Sequence, residues 1–600
     1  MQVPNDYNLT EDQVKHQYQY HQLPSKTSFR IMELLPGEKS APISYRLQIA
    51  DWSRSTRFES VSYAWGDVNR KIISTCDGLN LMITNNLRDC LVAMRYTDQS
   101  RFLWVDAICI DQTNTEERGH QVSHMGDFYR RATRVVVWLG RDENDQVQRS
   151  IAAIKEIVAQ CLGQEESVLR SRDELWRLIP EHLPEGLQHY DEDSLKALSW
   201  FFSRSWFSRL WVIQEVISNP NVEVLCGGSR ISWDVVALAA TYIWRHRHTE
   251  VYRRLVLDHS LTFNIYYMRR RFWHRHVSLP SLLNWGRFFN ATESLDRVYG
   301  LMALPSFANS DLCWIADYTK SKLDLYQDVA YKCISKLGSL RILCYSQHHG
   351  DDKTFPSWVP QWDRKARYQA IDESLTKAQW KSSGNVKLSA DIDMKYGVLK
   401  LTGIILDAIT SFYPLSGNLD IENGQVSQDN LTFDFWERQQ QQPSKYFTGE
   451  SQLEAFSVVM TAGLNINRRK ASETPKEFYN HFNAYLSHLL QVRGRVQGKG
   501  EPFERIKEQG ESDAYQGLAQ CKCRNRSFFF TQTGYMGLGP DVQTGDLVCI
   551  FFGAEVPFVL RPKSACYEFI GDAYVHGVME GEAVGMQRPG ILKKTTFEIH

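Results

Sequence analysis

The 600-residue sequence contains no apolar run approaching the ~20 residues a membrane-spanning helix needs. It also lacks a charge of one sign: 69 Lys and Arg stand against 70 Asp and Glu, a formal net charge of -1. That balance argues against whole-chain attraction to nucleic acid or to an anionic membrane. The first residues, MQVPNDYNLTEDQVKHQYQYHQLP, have no apolar core and do not read as a secretory signal. The 12 cysteines are scattered, with Cys521 and Cys523 the one close pair and no second pair at zinc-ligand spacing. Reduced thiols in a cytoplasmic protein are therefore expected. No G-x-G-x-x-G follows a strand, and neither a P-loop nor a G-x-S-x-G elbow occurs. These absences exclude the ordinary dinucleotide, P-loop and α/β-hydrolase readings. No solenoid repeat is present.

What is there is globular: 43% hydrophobic and 23% charged residues, in a chain too long for one core. Residues 1–27 form a polar arm. Strand-like segments at 29–35 and 43–49 flank the turn Pro36-Gly37. Strand 58–65, a helix near 87–94, strand 102–110, a helix after Thr113 and Glu116, and strand 134–140 then alternate. That pattern predicts an α/β fold with a parallel sheet flanked by helices. An insertion spans 141–200, a helix is expected over 206–217 and a strand over 222–225, which closes the first domain at 28–228. A helical middle region follows at 229–365. Short alternating runs beyond it predict a β-rich C-terminal domain at 366–600, with polar loops that include Gln439 to Gln442.

Candidate chemistry centres on Glu215. In LWVIQEVI (Leu210–Ile217) only Gln214 and Glu215 are polar, so the helix is expected to be buried and its carboxylate must be paired, hydrogen-bonded or functional. Trp211, four residues earlier, would wall the carboxylate and raise its pKa. The alternative is an ion pair with Arg209, Arg204 or Arg134. Ligands in parallel α/β sheets sit beyond the carboxyl ends of the strands. Tyr63, Trp65, Gly66 and Asp67 occupy one such end, and Asp106 and Asp111 flank another. Gly66 would let a ligand approach the backbone, and Tyr63 or Trp65 could stack on a flat ring. The alternative is a tight turn with its aromatics in the core. Asp106, Cys109 and Asp111 do not make a metal site, because strand alternation divides them between faces. The basic, aromatic stretch Tyr266 to His276 reads as a solvated or acid-paired helix, and Gly534, Gly537 and Gly539 as hairpin geometry.

In chain order, FESVSYAWGD (58–67), ITNNL (83–87), LWVDAICIDQ (103–112), RVVVWLG (134–140) and RSWFSRLWVIQEV (204–216) resemble the blocks of the fungal heterokaryon-incompatibility (HET) domain. Asp111 stands where that family usually has Asn. DRVYGLMAL (296–304), PSWVP (356–360), GLGP (537–540) and YVHGVMEGE (574–582) resemble blocks of full-length HET proteins, although the usual Asp-Pro before Asp296 is replaced by Glu293-Ser-Leu. The resemblance implies fungal non-self recognition followed by cell death. It also implies a fold similar to TIR domains, several of which cleave NAD+ with a glutamate that follows a tryptophan, as Glu215 follows Trp211. On that reading Glu215 is catalytic, NAD+ is the substrate and no further cofactor is required. Tyr63, Trp65, Gly66, Asp67, Asp106, Asp111 and Trp211 then shape the pocket, and self-association or a related incompatibility protein assembles it. The alternative is a non-enzymatic death-signalling module acting through association of like domains.

Overall fold

The computed structural model describes residues 16–67, 69–162, 191–245, 265, 277–304, 307, 312, 314–347, 354–371, 380–415, 421–422, 425–426, 430–494, 502–587 and 592–600. The basic stretch 266–276 lies outside the described residues, as do most of the arm and the centre of the 141–200 insertion. Packing divides the chain into two compact units, residues 1–277 with 288–319, and residues 278–287 with 320–600. Among the described residues no helix is long and apolar enough to cross a membrane.

Among the described residues the first unit has nine strands: β1 (Ser28–Leu34), β2 (Ser44–Asp51), β3 (Glu59–Tyr63), β4 (Lys71–Cys76), β5 (Leu79–Thr84), β6 (Arg101–Trp104), β7 (Val135–Gly140), β8 (Val222–Cys226) and β9 (Ser229–Ser232). They are ordered β5-β4-β2-β1-β6-β3-β7-β8-β9. The centre, β6-β3-β7-β8, is parallel throughout. All six residues of β7 are buried, as a strand covered on both faces requires. The flanks are mixed. β1 pairs antiparallel with β2 and β6, and β9 pairs antiparallel with β8. Among the four parallel strands the second lies outside the first, so β3 and β7 straddle the point where the winding reverses. In open α/β sheets that is where ligands bind, beyond the carboxyl ends.

Three local expectations are corrected. The apolar run 102–110 is not one strand: β6 stops at Trp104, and Asp106–Cys109 is a short helix whose first N–H, on Ala107, is held by the Asp106 carboxylate at 2.7 Å. The alternation argument that separated Asp106 from Cys109 and Asp111 therefore does not apply. The expected helix 206–217 is broken into a 3₁₀ turn, Ser205–Ser208, an extended Arg209 and the helix Val212–Ile217. The helix after Asp111 is capped by Asn114, which accepts from the N–H groups of Glu116 and Glu117 at 3.1 Å each, and not by Thr113. Thr113 instead closes a turn on Asp111.

The second unit carries β10 (Ala390–Asp393), β11 (Val398–Pro414), the hairpin β12 (Ile421–Glu422) and β13 (Gln425–Val426), β14 (Ser527–Thr531), β15 (Met536–Gly539), β16 (Leu547–Phe551), β17 (Phe558–Pro562), β18 (Tyr567–Asp572), β19 (Tyr574–Val575) and β20 (Lys594–Ile599). The pairings β11-β16-β17-β18-β20 return to β11 and close a five-stranded barrel. β11 is 17 residues long, and two register shifts bend it so that it also leads the branch β14-β15-β19. Gly537 and Gly539 lie on β15, and Gly534 turns the hairpin before it. The polar stretch that includes Gln439 to Gln442 is not a loop. Asn430 caps a helix, Leu431–Gln441, which buries Leu431, Phe433 and Phe435.

At Gly403, on the shared strand, an added Cβ would lie 2.4 Å from the Ile550 carbonyl oxygen and 2.9 Å from the Phe551 Cα. Backbone atoms of a closed barrel cannot move aside as a side-chain tip can. Gly403→Ala is expected to destabilise the second unit by about 1–3 kcal/mol, read as a lower urea midpoint for its unfolding.

Candidate functional site

β3 (ESVSY) places serines in a buried central strand. A hydroxyl there must find a partner. Ser62 does so twice: it accepts from the Trp206 indole N–H at 2.7 Å and donates to Glu215 Oε2. Tyr63, on the opposite face of β3, directs its hydroxyl toward Asp106. The chain then turns at Ala64, Trp65 and Gly66. Gly66 takes φ +74, and the turn is held by Asn86, whose amide donates to the Ala64 carbonyl at 2.5 Å and accepts from the Trp138 indole at 3.0 Å. The Trp65 indole donates to Asp106 Oδ2 at 3.0 Å. The Arg209 guanidinium donates to the Tyr63 carbonyl.

The result is two carboxyl groups around one guanidinium, at the carboxyl ends of β3 and β6. Glu215 is 3% exposed. Burial raises its pKa to about 7, against the pull of Arg209, Ser62 and Tyr129, and the nearby Asp106 charge raises it further. Burial also raises Asp106, opposed by Arg209 and by the Trp65 hydrogen bond. A carboxyl that titrates near neutrality can hold or release a proton at physiological pH, which an ordinary glutamate cannot. Among the described residues no group of three or more His, Cys, Asp or Glu side chains could hold a metal ion.

Tyr63, Trp65, Asp106 and Glu215 thus converge. Tyr63 is buried, so of the two aromatics only Trp65 keeps exposed surface. Gly66 lies in the turn beside Trp65, and the other three expected pocket residues lie elsewhere. Asp67 is exposed and pairs with Arg70 at 3.4 Å. Asp111 caps its own turn. The Trp211 indole donates to Asp296 at 3.1 Å, so the aromatic groups beside Glu215 are Tyr129 and, through Ser62, Trp206. Of the arginines weighed as partners, Arg204 pairs with Glu143 and Arg134 with Glu59 and Glu223, while Arg209 donates to the Tyr63 carbonyl and acts on Glu215 through its charge. Sequence reasoning missed Ser62, Asn86, Tyr129 and Trp206. The signal for Ser62 was present, since a polar residue flanked by Val61 and Tyr63 in a core strand must be satisfied.

Residues 58–215 match the family described as Heterokaryon incompatibility protein (HET). The matched span starts one residue before β3 and ends on the buried glutamate. Residues 497–589 match the Het-6 beta-barrel domain. The chain is similar to the HET family over the first span and to the Het-6 barrel over the second. The barrel match covers β14 to β19 and leaves out the closing strands β11 and β20. Over 93% of its length the chain is 24% identical to heterokaryon incompatibility protein 6, OR allele, of Neurospora crassa, covering 94% of that protein. A second relative, vegetative incompatibility protein HET-E-1 of Podospora anserina, is 23% identical over 27% of the chain and 9% of its own length. No solved structure matches.

Proposed function

We propose that this chain acts in fungal non-self recognition in the cytoplasm, with the HET domain as the effector that triggers cell death through hydrolysis of NAD+. The recognition role rests on similarity along nearly the whole chain to a heterokaryon incompatibility protein. The chemistry rests on one observation, a buried glutamate bound by Ser62 of β3 beside the switch point of a parallel sheet. In the reaction the bond between C1′ of the ribose and the nicotinamide nitrogen breaks, and nicotinamide leaves neutral. Glu215, as carboxylate, stabilises the oxocarbenium-like transition state. Water adds at C1′ and its proton passes to the carboxylate, giving ADP-ribose. No metal or second cofactor enters.

With Glu215 at 3% exposure, the carboxylate has no open path to a nucleotide in this conformation. Activity therefore requires rearrangement, and TIR-like self-association is the step proposed to drive it. The full chain is expected to leave NAD+ intact when purified, and to consume it when fused to an oligomerising coiled coil. Glu215→Gln is expected to abolish that consumption. The burial favours a second reading, in which the HET domain signals by association alone. That reading holds if the assembled wild type leaves NAD+ untouched while both it and Glu215→Gln still kill hyphae on fusion.

A further inference from the structure

The short helix Asp296–Tyr299 lies 80 residues beyond the end of the HET match, yet residues 288–319 pack into the same compact unit. Their contacts converge on Ser205–Trp211, the broken segment that leads into the Glu215 helix. Asn290 holds its middle by two backbone bonds: the Leu210 N–H donates to the Asn290 carbonyl at 2.9 Å, and the Asn290 N–H to the Ser208 carbonyl at 2.5 Å. Asp296 holds its end. One carboxylate oxygen accepts from the Trp211 indole at 3.1 Å and the other from the Tyr318 hydroxyl at 2.8 Å, while Arg118 lies over the Tyr318 ring. Gly300 allows the close approach. A Cβ there would stand 2.9 Å from the Asp296 carbonyl and 3.3 Å from Leu210.

These anchors explain why a sequence with a continuous helical pattern is not helical at Arg209. They also fix the position of the next turn, since Trp211 caps the helix and accepts the Glu215 N–H at 3.3 Å. We propose that Asp296 is a positioning residue for Glu215: through the Trp211 indole it clamps the strap Ser205–Trp211 onto the domain, and release of this clamp opens the Glu215 carboxylate. The inference rests on the functional reading of Glu215. It adds that the working unit extends past the HET match to Tyr318.

The test uses the full chain with Asp296→Ala, which removes both acceptors, and Asp296→Asn. In the asparagine variant the amide oxygen still accepts from Trp211, and its NH2 donates to a reoriented Tyr318 hydroxyl. Losing a buried charge-assisted acceptor should speed hydrogen exchange of the 212–217 amides by about tenfold or more. Asp296→Ala is expected to do this and to open Glu215 to carbodiimide labelling, with β3 and β7 exchange unchanged and Asp296→Asn close to wild type. If the alanine protein is insoluble, Trp211→Phe removes the same indole N–H, keeps an aromatic ring and should move both readouts the same way. The proposal fails if exchange and labelling match wild type, or if loosening spreads equally to β3 and β7. If the strap loosens as expected but no assembled variant consumes NAD+, the clamp stands and the hydrolase reading falls.

Discussion

Glu215→Gln is expected to stabilise the first unit above pH 7 while removing the incompatibility response. The sign follows from the raised pKa. In the unfolded chain the carboxyl titrates near its ordinary value of 4.5, and in the folded domain at about 7. Between those values the folded state binds the extra proton. Its contribution to stability is therefore fully present below pH 4.5 and is lost as pH rises through 7, a swing of about 3 kcal/mol. Glutamine keeps the acceptor for the Ser62 hydroxyl and cannot ionise, so it should match wild type near pH 4 and exceed it by about 3 kcal/mol at pH 8. Hydrogen exchange of the β3 and β7 amides in the full chain, at both pH values, reads the difference. A glutamate retained for packing would give the opposite result, with glutamine less stable at every pH. Stability sacrificed at a residue whose loss abolishes activity is the mark of a functional group.

The legible parts of this chain were those fixed by local pattern. β7 (VVVWLG) has no polar side chain, follows an arginine and ends on a glycine, so its burial in a parallel sheet follows from composition alone. The strand at Val222–Cys226, apolar except for Glu223, and the carboxyl end that carries Tyr63 and Trp65 were legible in the same way. The illegible parts depend on partners distant in sequence. Ser205–Ile217 has the hydrophobic period of one helix, and Arg209 is held extended by Asn290 and Asp296, more than eighty residues on, and by the Tyr63 carbonyl. Asp106 looked like an interruption in a strand because the sequence does not reveal that it holds the N–H of Ala107. The helix Leu431–Gln441 was hidden by polar composition. Its buried stripe is narrow, as at Phe433 and Phe435, and it is held by packing and by the cap at Asn430. The closing of the barrel was equally hidden, because it depends on β11 pairing with both β16 and β20, 140 to 200 residues away.

Asp572→Ala is expected to cost the second unit about 3–5 kcal/mol, the range for leaving one partner of a buried ion pair alone. Arg526 and Asp572 both have fully buried side chains. The guanidinium donates to the carboxylate at 2.6 Å, to the Asp572 carbonyl at 2.7 Å and to the Gln369 carbonyl at 3.0 Å, and it lies 4.3 Å from the centre of the Tyr368 ring. The other carboxylate oxygen accepts from the Ile371 N–H at 2.5 Å. Asp572 ends β18, and Arg526 immediately precedes β14, so the pair ties the closed barrel to its branch. With Asp572 replaced by alanine, the cation keeps its carbonyl partners and the Tyr368 ring but no anion, and the Ile371 N–H loses its acceptor. A double variant, Arg526→Met with Asp572→Leu, removes both charges and should recover much of the loss, because two charges taken from water together return little net stability. Urea unfolding of wild type, Arg526→Met, Asp572→Leu and the double variant forms the cycle that separates the two effects. If Asp572→Ala costs less than about 1 kcal/mol, the pair is dispensable and the barrel is held by its apolar core. The expected loss exceeds the margin of many folded units. On the proposed function, Asp572→Ala should therefore lower the amount of protein in hyphae and weaken the incompatibility response without altering any residue of the 58–215 match.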